Sequence, residues 1–216
     1  MKTIIFIITL IFSTVIFGQY PPAAGQSGTT AISKDSSIII NWANTVTDFS
    51  RGYLDIANPA LGFTSFGDSS FTLGQAEGTS TDVVSLGDAG SITLTFPNPI
   101  KNGNGPDFVV FENSFSDDFL ELAHVEVSTD GVNFVRIPSI SLTQTATQTD
   151  GFGSTDPTKI HNLAGKYRQG FGTPFDLQDI IDSTNINLDS INFVKIIDVI
   201  GTINTTYSTY DSQGNI

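Results

Sequence analysis

Val125-Glu126-Val127-Ser128-Thr129-Asp130-Gly131-Val132-Asn133-Phe134-Val135-Arg136-Ile137 reads as a β-hairpin. Val125 and Val127 alternate with Glu126 and Ser128, the period of a strand with one apolar face. Asp130-Gly131 supplies the tight turn, because glycine enters the left-handed region at little cost, and Phe134 to Ile137 returns. Working outward, Phe108 to Phe111 (FVVF) is apolar on both faces, which predicts a central, buried strand. Ser91 to Phe96 (SITLTF) places Ile92, Leu94 and Phe96 on one face, and Pro97 and Pro99 are expected to end it. Val83 to Leu86, Ser37 to Ala43 (SIIINWA) and Phe193 to Val199 (FVKIIDV) are further strand candidates. Asn44 to Gly78 reads as a long, partly packed connection. Helix signals are thin: Pro174 to Ile181 could form one or two turns. Many short strands with glycine-rich breaks predict an all-β chain, a single β-sandwich or jelly roll.

The 216 residues suit one such domain. A hydrophobic fraction of 39% with 17 Phe is too rich for a disordered chain. The formal net charge of −13 disfavours nucleic acid and anionic membrane surfaces as partners. The chain has no Cys, which removes thiolate catalysis, a lipid-anchoring cysteine and Cys-based zinc sites. The two His, His124 and His161, cannot make a three-His metal site.

At the start, Met1-Lys2 precedes an uncharged run from Thr3 to Phe17, followed by Gly18-Gln19-Tyr20-Pro21-Pro22. A basic start, an apolar stretch too short to span a bilayer and a helix-breaking end form a signal-peptide pattern. The expected organisation is a signal peptide at 1–18, an extended leader at 19–35, a β-sandwich domain at 36–216 and no later membrane span. Asp211-Ser212-Gln213-Gly214-Asn215 predicts a tight turn, with Ile216 beginning a return strand. The expectation is therefore a domain that is C-terminally incomplete.

Two clusters offer chemistry. Asp107, Glu112 and Asn113 flank the FVVF strand, with Asp117, Asp118 and Glu121 beyond, and oxygen ligands of this kind suit a structural calcium ion. The loop from Asp150 to Leu177 is long enough to carry function. It holds His161, Asn162, Lys166, Tyr167 and Arg168, an aromatic and polar mixture that suits a sugar-type ligand. No G-x-S-x-G nucleophile motif is present, and His161 has no sequence-local partner that would make it a base.

Four runs also carry a resemblance: VVSLGDAGSITLTF (83–96), GPDFVVFENSF (105–115), FLELAHVEVSTDGVNFVRIPS (119–139) and DPTKIHNLAGKYRQGFGTPFDL (156–177). They resemble secreted bacterial cell-surface proteins that often carry C-terminal sorting signals of the type IX or PEP-CTERM kind. Members of that family continue past the Asp-Ser-x-Gly-Asn turn into another strand and the sorting region, which this sequence does not contain. The segment VEVSTDGVNFVRI is similar to a hairpin of galactose-binding-like, discoidin-type jelly rolls, which implies carbohydrate binding and a structural calcium. Together these readings predict a secreted or cell-surface, non-catalytic binding module for a glycan or another small polar ligand. The alternatives are a structural or adhesive protein that binds surface proteins, a glycoside hydrolase-type enzyme, and a capture protein for a nutrient such as a corrinoid.

Overall fold

The computed structural model describes residues 19–216; the expected signal peptide lies outside the described residues. Ten strands form: β1 (Ile32–Ser33), β2 (Thr45–Ser50), β3 (Ser91–Ile100), β4 (Phe108–Phe111), β5 (Ala123–Ser128), β6 (Val135–Arg136), β7 (Ile140–Ser141), β8 (Ile160–His161), β9 (Phe171–Phe175) and β10 (Ile191–Asp198). The helical segments among the described residues are four single 3-10 turns. A five-stranded sheet in the order β2-β3-β10-β5-β6 faces a three-stranded sheet in the order β1-β9-β4, and β7 pairs with β8 at the side. Every strand pair is antiparallel. The chain is an all-β sandwich.

The expected hairpin is present as β5 and β6, with Glu126 opposite Arg136 and Val127 opposite Val135. Asp130 accepts the Val132 and Asn133 N–H groups at 2.9 and 2.8 Å, so the aspartate fixes the turn that Gly131 enters at φ 76°. Arg136 crosses to Glu126 at 2.9 Å on the solvent face. The opposite face supplies the core: Val125, Val127 and Val194 lie against Phe175, Leu177 and Ile180, with Phe108 and Val110 packed on them. A second, smaller cluster of Ala43, Ile92 and Leu94 is covered by Leu73, Val84 and Leu86.

Several expected elements differ, each for a physical reason. FVVF is not central: β4 is the edge of the three-stranded sheet, with half-buried residues. Both its faces are apolar because one packs on the core while Phe111, on the other, meets the Trp42 ring at 5.4 Å. β3 runs through Pro97 and Pro99 to Ile100. Its ladder to β10 jumps from Thr95 opposite Phe193 to Ile100 opposite Ile191, so the prolines stand in an irregular stretch that needs no ladder N–H. Ser37 to Ala43 is not a strand, and Ile38 and Ile40 are exposed; the strand forms next to it as β2, inside the expected connection. Val83 to Leu86 is likewise irregular, yet it packs its side chains on β3. The helical turn falls at Leu177–Ile180, capped by Asp176 through the Gln178 N–H, while Pro174 belongs to β9. The loop from 150 to 177 contains a 3-10 turn (Pro157–Lys159), β8 and β9, rather than being structureless.

The leader is docked. Tyr20 donates its N–H to Thr158 O at 3.1 Å and stacks on His161 at 4.8 Å, and β1 adds to β9. At the other end Asp211 closes the expected turn, accepting the Gln213 and Asn215 N–H groups, each at 2.8 Å.

Candidate binding cleft

The smaller sheet covers only part of the larger one. β4 and β9 sit over β10 and β5, while Leu73, Val84 and Leu86 of the segment after β2 cover β2 and part of β3. Between them lies an open cleft of about 1330 Å³. Its floor is the inward face of β3 and β10, where Phe96 and Ile196 are half-buried while Ile92, Leu94 and Val194 are buried. One wall is the free edge of β4, the other the stretch around Trp42 and Tyr53. This volume exceeds the ordinary range of small-molecule pockets; the floor is apolar, with Lys101 and Asp107 at one end of β4 and a group of carboxyls at the other.

That second end is acidic. Asp88, Glu112, Glu121 and Asp198 all reach the cleft. Asp198 follows Val194 and Ile196 on the inward parity of β10, so the fold itself delivers a carboxyl to an apolar surface. Burial, reinforced by the charge of Asp88 and Glu121, pushes Asp198 up to about 8. Glu112 follows β4 directly and is also pushed far above the usual carboxylate range, first by burial and then by the charge of nearby Glu121. Ser114 N–H donates to Glu112 at 2.6 Å and opposes that rise. Gly165, at φ 81°, lets the Glu121 backbone come close: a Cβ there would collide with the Glu121 carbonyl. Ala123 and Ala164 exchange backbone hydrogen bonds at 3.0 and 2.9 Å and fix that approach. Among the described residues, no Lys, Arg or His forms an ion pair with any of these four carboxylates.

A row of rings extends the rim. Phe115 stacks on Phe119 at 4.6 Å and Phe119 on Phe152 at 5.8 Å, with Phe115 and Phe152 exposed. Phe119 lines the cleft itself.

The residues expected to bind ligand from the long loop stand elsewhere, and their polar groups are occupied internally. Tyr167 is 1% exposed, its hydroxyl 2.9 Å from Thr30 Oγ1. Lys166 is buried and donates to Ile160 O at 2.7 Å; burial pushes its amine down to about 8. Asn162 donates to Asp179 at 2.7 Å, and His161 lies under Tyr20. Arg168 pairs with Asp117 at 2.6 Å, donates to Ala24 O at 3.0 Å and sits over Phe171. None of the five lines the cleft. They tie the leader and the loop to the body.

Asp107, Glu112 and Asn113, expected as metal ligands, do line the cleft but do not converge. Asp107 stands before β4 and accepts Gly103 and Leu177 N–H groups at 2.7 and 2.8 Å, while Glu112 stands after it. Asn113 donates to Ser80 O at 2.7 Å. Among the described residues, no three His, Asp or Glu side chains are grouped as metal ligands. Asp88, Asp198 and Trp42 were not singled out by the sequence. The readable signal was Asp198, a charge on the apolar parity of a strand.

Comparison with protein-family models, with curated proteins and with solved structures gives no match.

Proposed function

We propose that the chain is an extracytoplasmic, non-catalytic binding module and that the cleft between its sheets, rather than the loop from 150 to 177, is the binding site. One observation carries this reading: a cleft of about 1330 Å³ joins an apolar floor and aromatic walls to a group of carboxyls that form no ion pair among the described residues. A ligand that fits must offer apolar faces along its length and hydrogen-bond donors or positive charge at one end. Glycans meet the first need through their C–H faces and the second through hydroxyls. Ligands with an anionic group at that end fail the second.

Trp42, the single tryptophan, lines the cleft and reports on its occupancy. Ligands found by screening the domain on a glycan array, and with short cationic peptides, are expected to shift Trp42 emission. Binding that leaves Trp42 unchanged and is abolished by Arg168→Ala would move the site to the loop.

A further inference from the structure

The free edge of β4 is built to receive another strand. Pro174, which has no N–H, stands opposite Val109, and Val110 O lies against Gly172. In an antiparallel ladder this makes Phe108–Phe175 and Val110–Thr173 the hydrogen-bonded pairs. The N–H and C=O groups of Val109 and Phe111 then face the cleft. Among the described residues, no strand pairs with β4 on that side, no isolated bridge reaches it, and no backbone group outside the strands bonds to Val109 or Phe111. Beside the edge the cleft is lined by Phe96 of β3 and Ile196 of β10, half-buried apolar side chains on which a further strand could pack. Edge strands elsewhere are blunted by charge, proline or cover. β4 has neither charge nor proline, and its open side is a groove.

From this we infer that the occupant of the cleft is an extended segment of a partner protein, which adds to β4 as an antiparallel strand, lays alternate apolar side chains on β3 and β10, and places a basic residue among Asp88, Glu112, Glu121 and Asp198. This rests on the cleft being the binding site and names its ligand. The mode is β-augmentation: main-chain hydrogen bonds give affinity and alternate side chains give specificity. Charge complementarity selects the basic residue, since four carboxyl groups gather at the Glu112 end and, among the described residues, none of them forms an ion pair. Antiparallel addition follows the rule obeyed by every other pair in the protein, and it brings the N-terminal end of the segment to Glu112. A four-residue edge at about 3.3 Å per residue spans roughly 13 Å, so a segment of about seven residues covers it with an end to spare.

The probe is a synthetic heptapeptide of alternating valine and threonine with an N-terminal lysine, titrated into the protein with Trp42 emission as readout. Binding is expected, with slowed amide exchange at Val109 and Phe111. Methylating the peptide amides that face β4 is expected to weaken binding at least about tenfold, the worth of one or two hydrogen bonds. Methylating the alternate amides should change it less than about twofold. Replacing the lysine by glutamate, or moving it to the C-terminus, should also cost about tenfold. Val109→Pro deletes an edge donor outside the β4–β9 ladder and is expected to abolish peptide binding. Binding that shifts Trp42 but ignores the position of the methyl groups would overturn strand addition and leave the cleft as the site. A glycan that binds the cleft while the peptide does not would do the same. Silence of Trp42 toward glycans and peptides alike would overturn both readings.

Discussion

Replacing Asp198 by asparagine should stabilise the protein, by an amount that grows with pH. The carboxyl is moved from its ordinary 3.8 to about 8, and burial is the first cause. In the folded chain it keeps a proton that the unfolded chain has lost. Its contribution to stability is therefore fully present below about pH 4 and is lost as pH climbs through 8. At 1.36 kcal/mol for each tenfold change, the loss reaches at most about 1.6 kcal/mol at pH 5, about 4 at pH 7 and 5–6 above pH 8. The cleft is open to water on one side, and about half of these ceilings is expected to be realised. Asparagine keeps the shape and the neutral charge without the ionisation. Urea unfolding of the wild type and Asp198→Asn at pH 5, 7 and 9 measures the difference directly, and other titrating groups largely cancel between the two proteins. A stability gain of a little under about 1 kcal/mol at pH 5 that widens to about 2–3 kcal/mol at pH 9 is expected. A gain that is flat with pH, or a loss at pH 9, would refute the placement of this carboxyl on a dry floor.

His124 should act in the opposite window. Burial holds its imidazole down at about 4, and its Nε2 has no hydrogen-bond partner, so it folds neutral. Its contribution is complete above about pH 6.5 and drains away toward pH 4; His124→Leu should flatten the acid limb of a melting-temperature profile. Leu177→Ala, at a fully buried core position, should cost about 2–5 kcal/mol in urea unfolding with the denaturant slope unchanged. Tyr167→Phe removes the hydroxyl contact to Thr30 and should cost about 0.5–1.5 kcal/mol, with faster amide exchange at Ile32 and Ser33, where the leader joins β9.

The sandwich was legible where a strand carries its own signal. The hairpin at β5 and β6 has alternation and an Asp-Gly turn, and Ile92, Leu94 and Phe96 share a face as their spacing requires. Position in a sheet was not legible. FVVF has the composition of a central strand, but an edge strand covered on both faces by Trp42 and the core has the same composition. SIIINWA has β-branched residues and no partner, while Thr45 to Ser50, with weaker composition, faces β3 and becomes the strand. Propensity is local, and pairing is decided by what lies opposite. The same limit hid the cleft. His161, Lys166, Tyr167 and Arg168 look like a site because polar and aromatic residues cluster in one stretch. The polar atoms of Lys166, Tyr167 and Arg168 instead meet Ile160, Thr30, Ala24 and Asp117, some of them more than a hundred residues away, and His161 stacks on Tyr20. Asp88, Glu112, Glu121 and Asp198 are scattered through the sequence and meet only because β4, β10 and two loops end at one place.

The charge of the cleft bears on which strand can occupy it. An open β-edge above an apolar floor would ordinarily invite a second copy of the same chain. Here a copy pairing edge to edge would bring a second set of carboxylates into the cleft region, on a protein whose formal net charge is −13. Like charges at such range cost more as water is excluded between them. The carboxylates at the Glu112 end thus discriminate as well as attract: they disfavour self-pairing and favour a basic partner. Raising the pH toward 8 ionises Asp198 and Glu112 further while a lysine stays charged, so a basic strand should bind more tightly at pH 8 than at pH 6. A neutral strand should not. Equal strengthening of both would mean that the carboxylates do not contact the occupant.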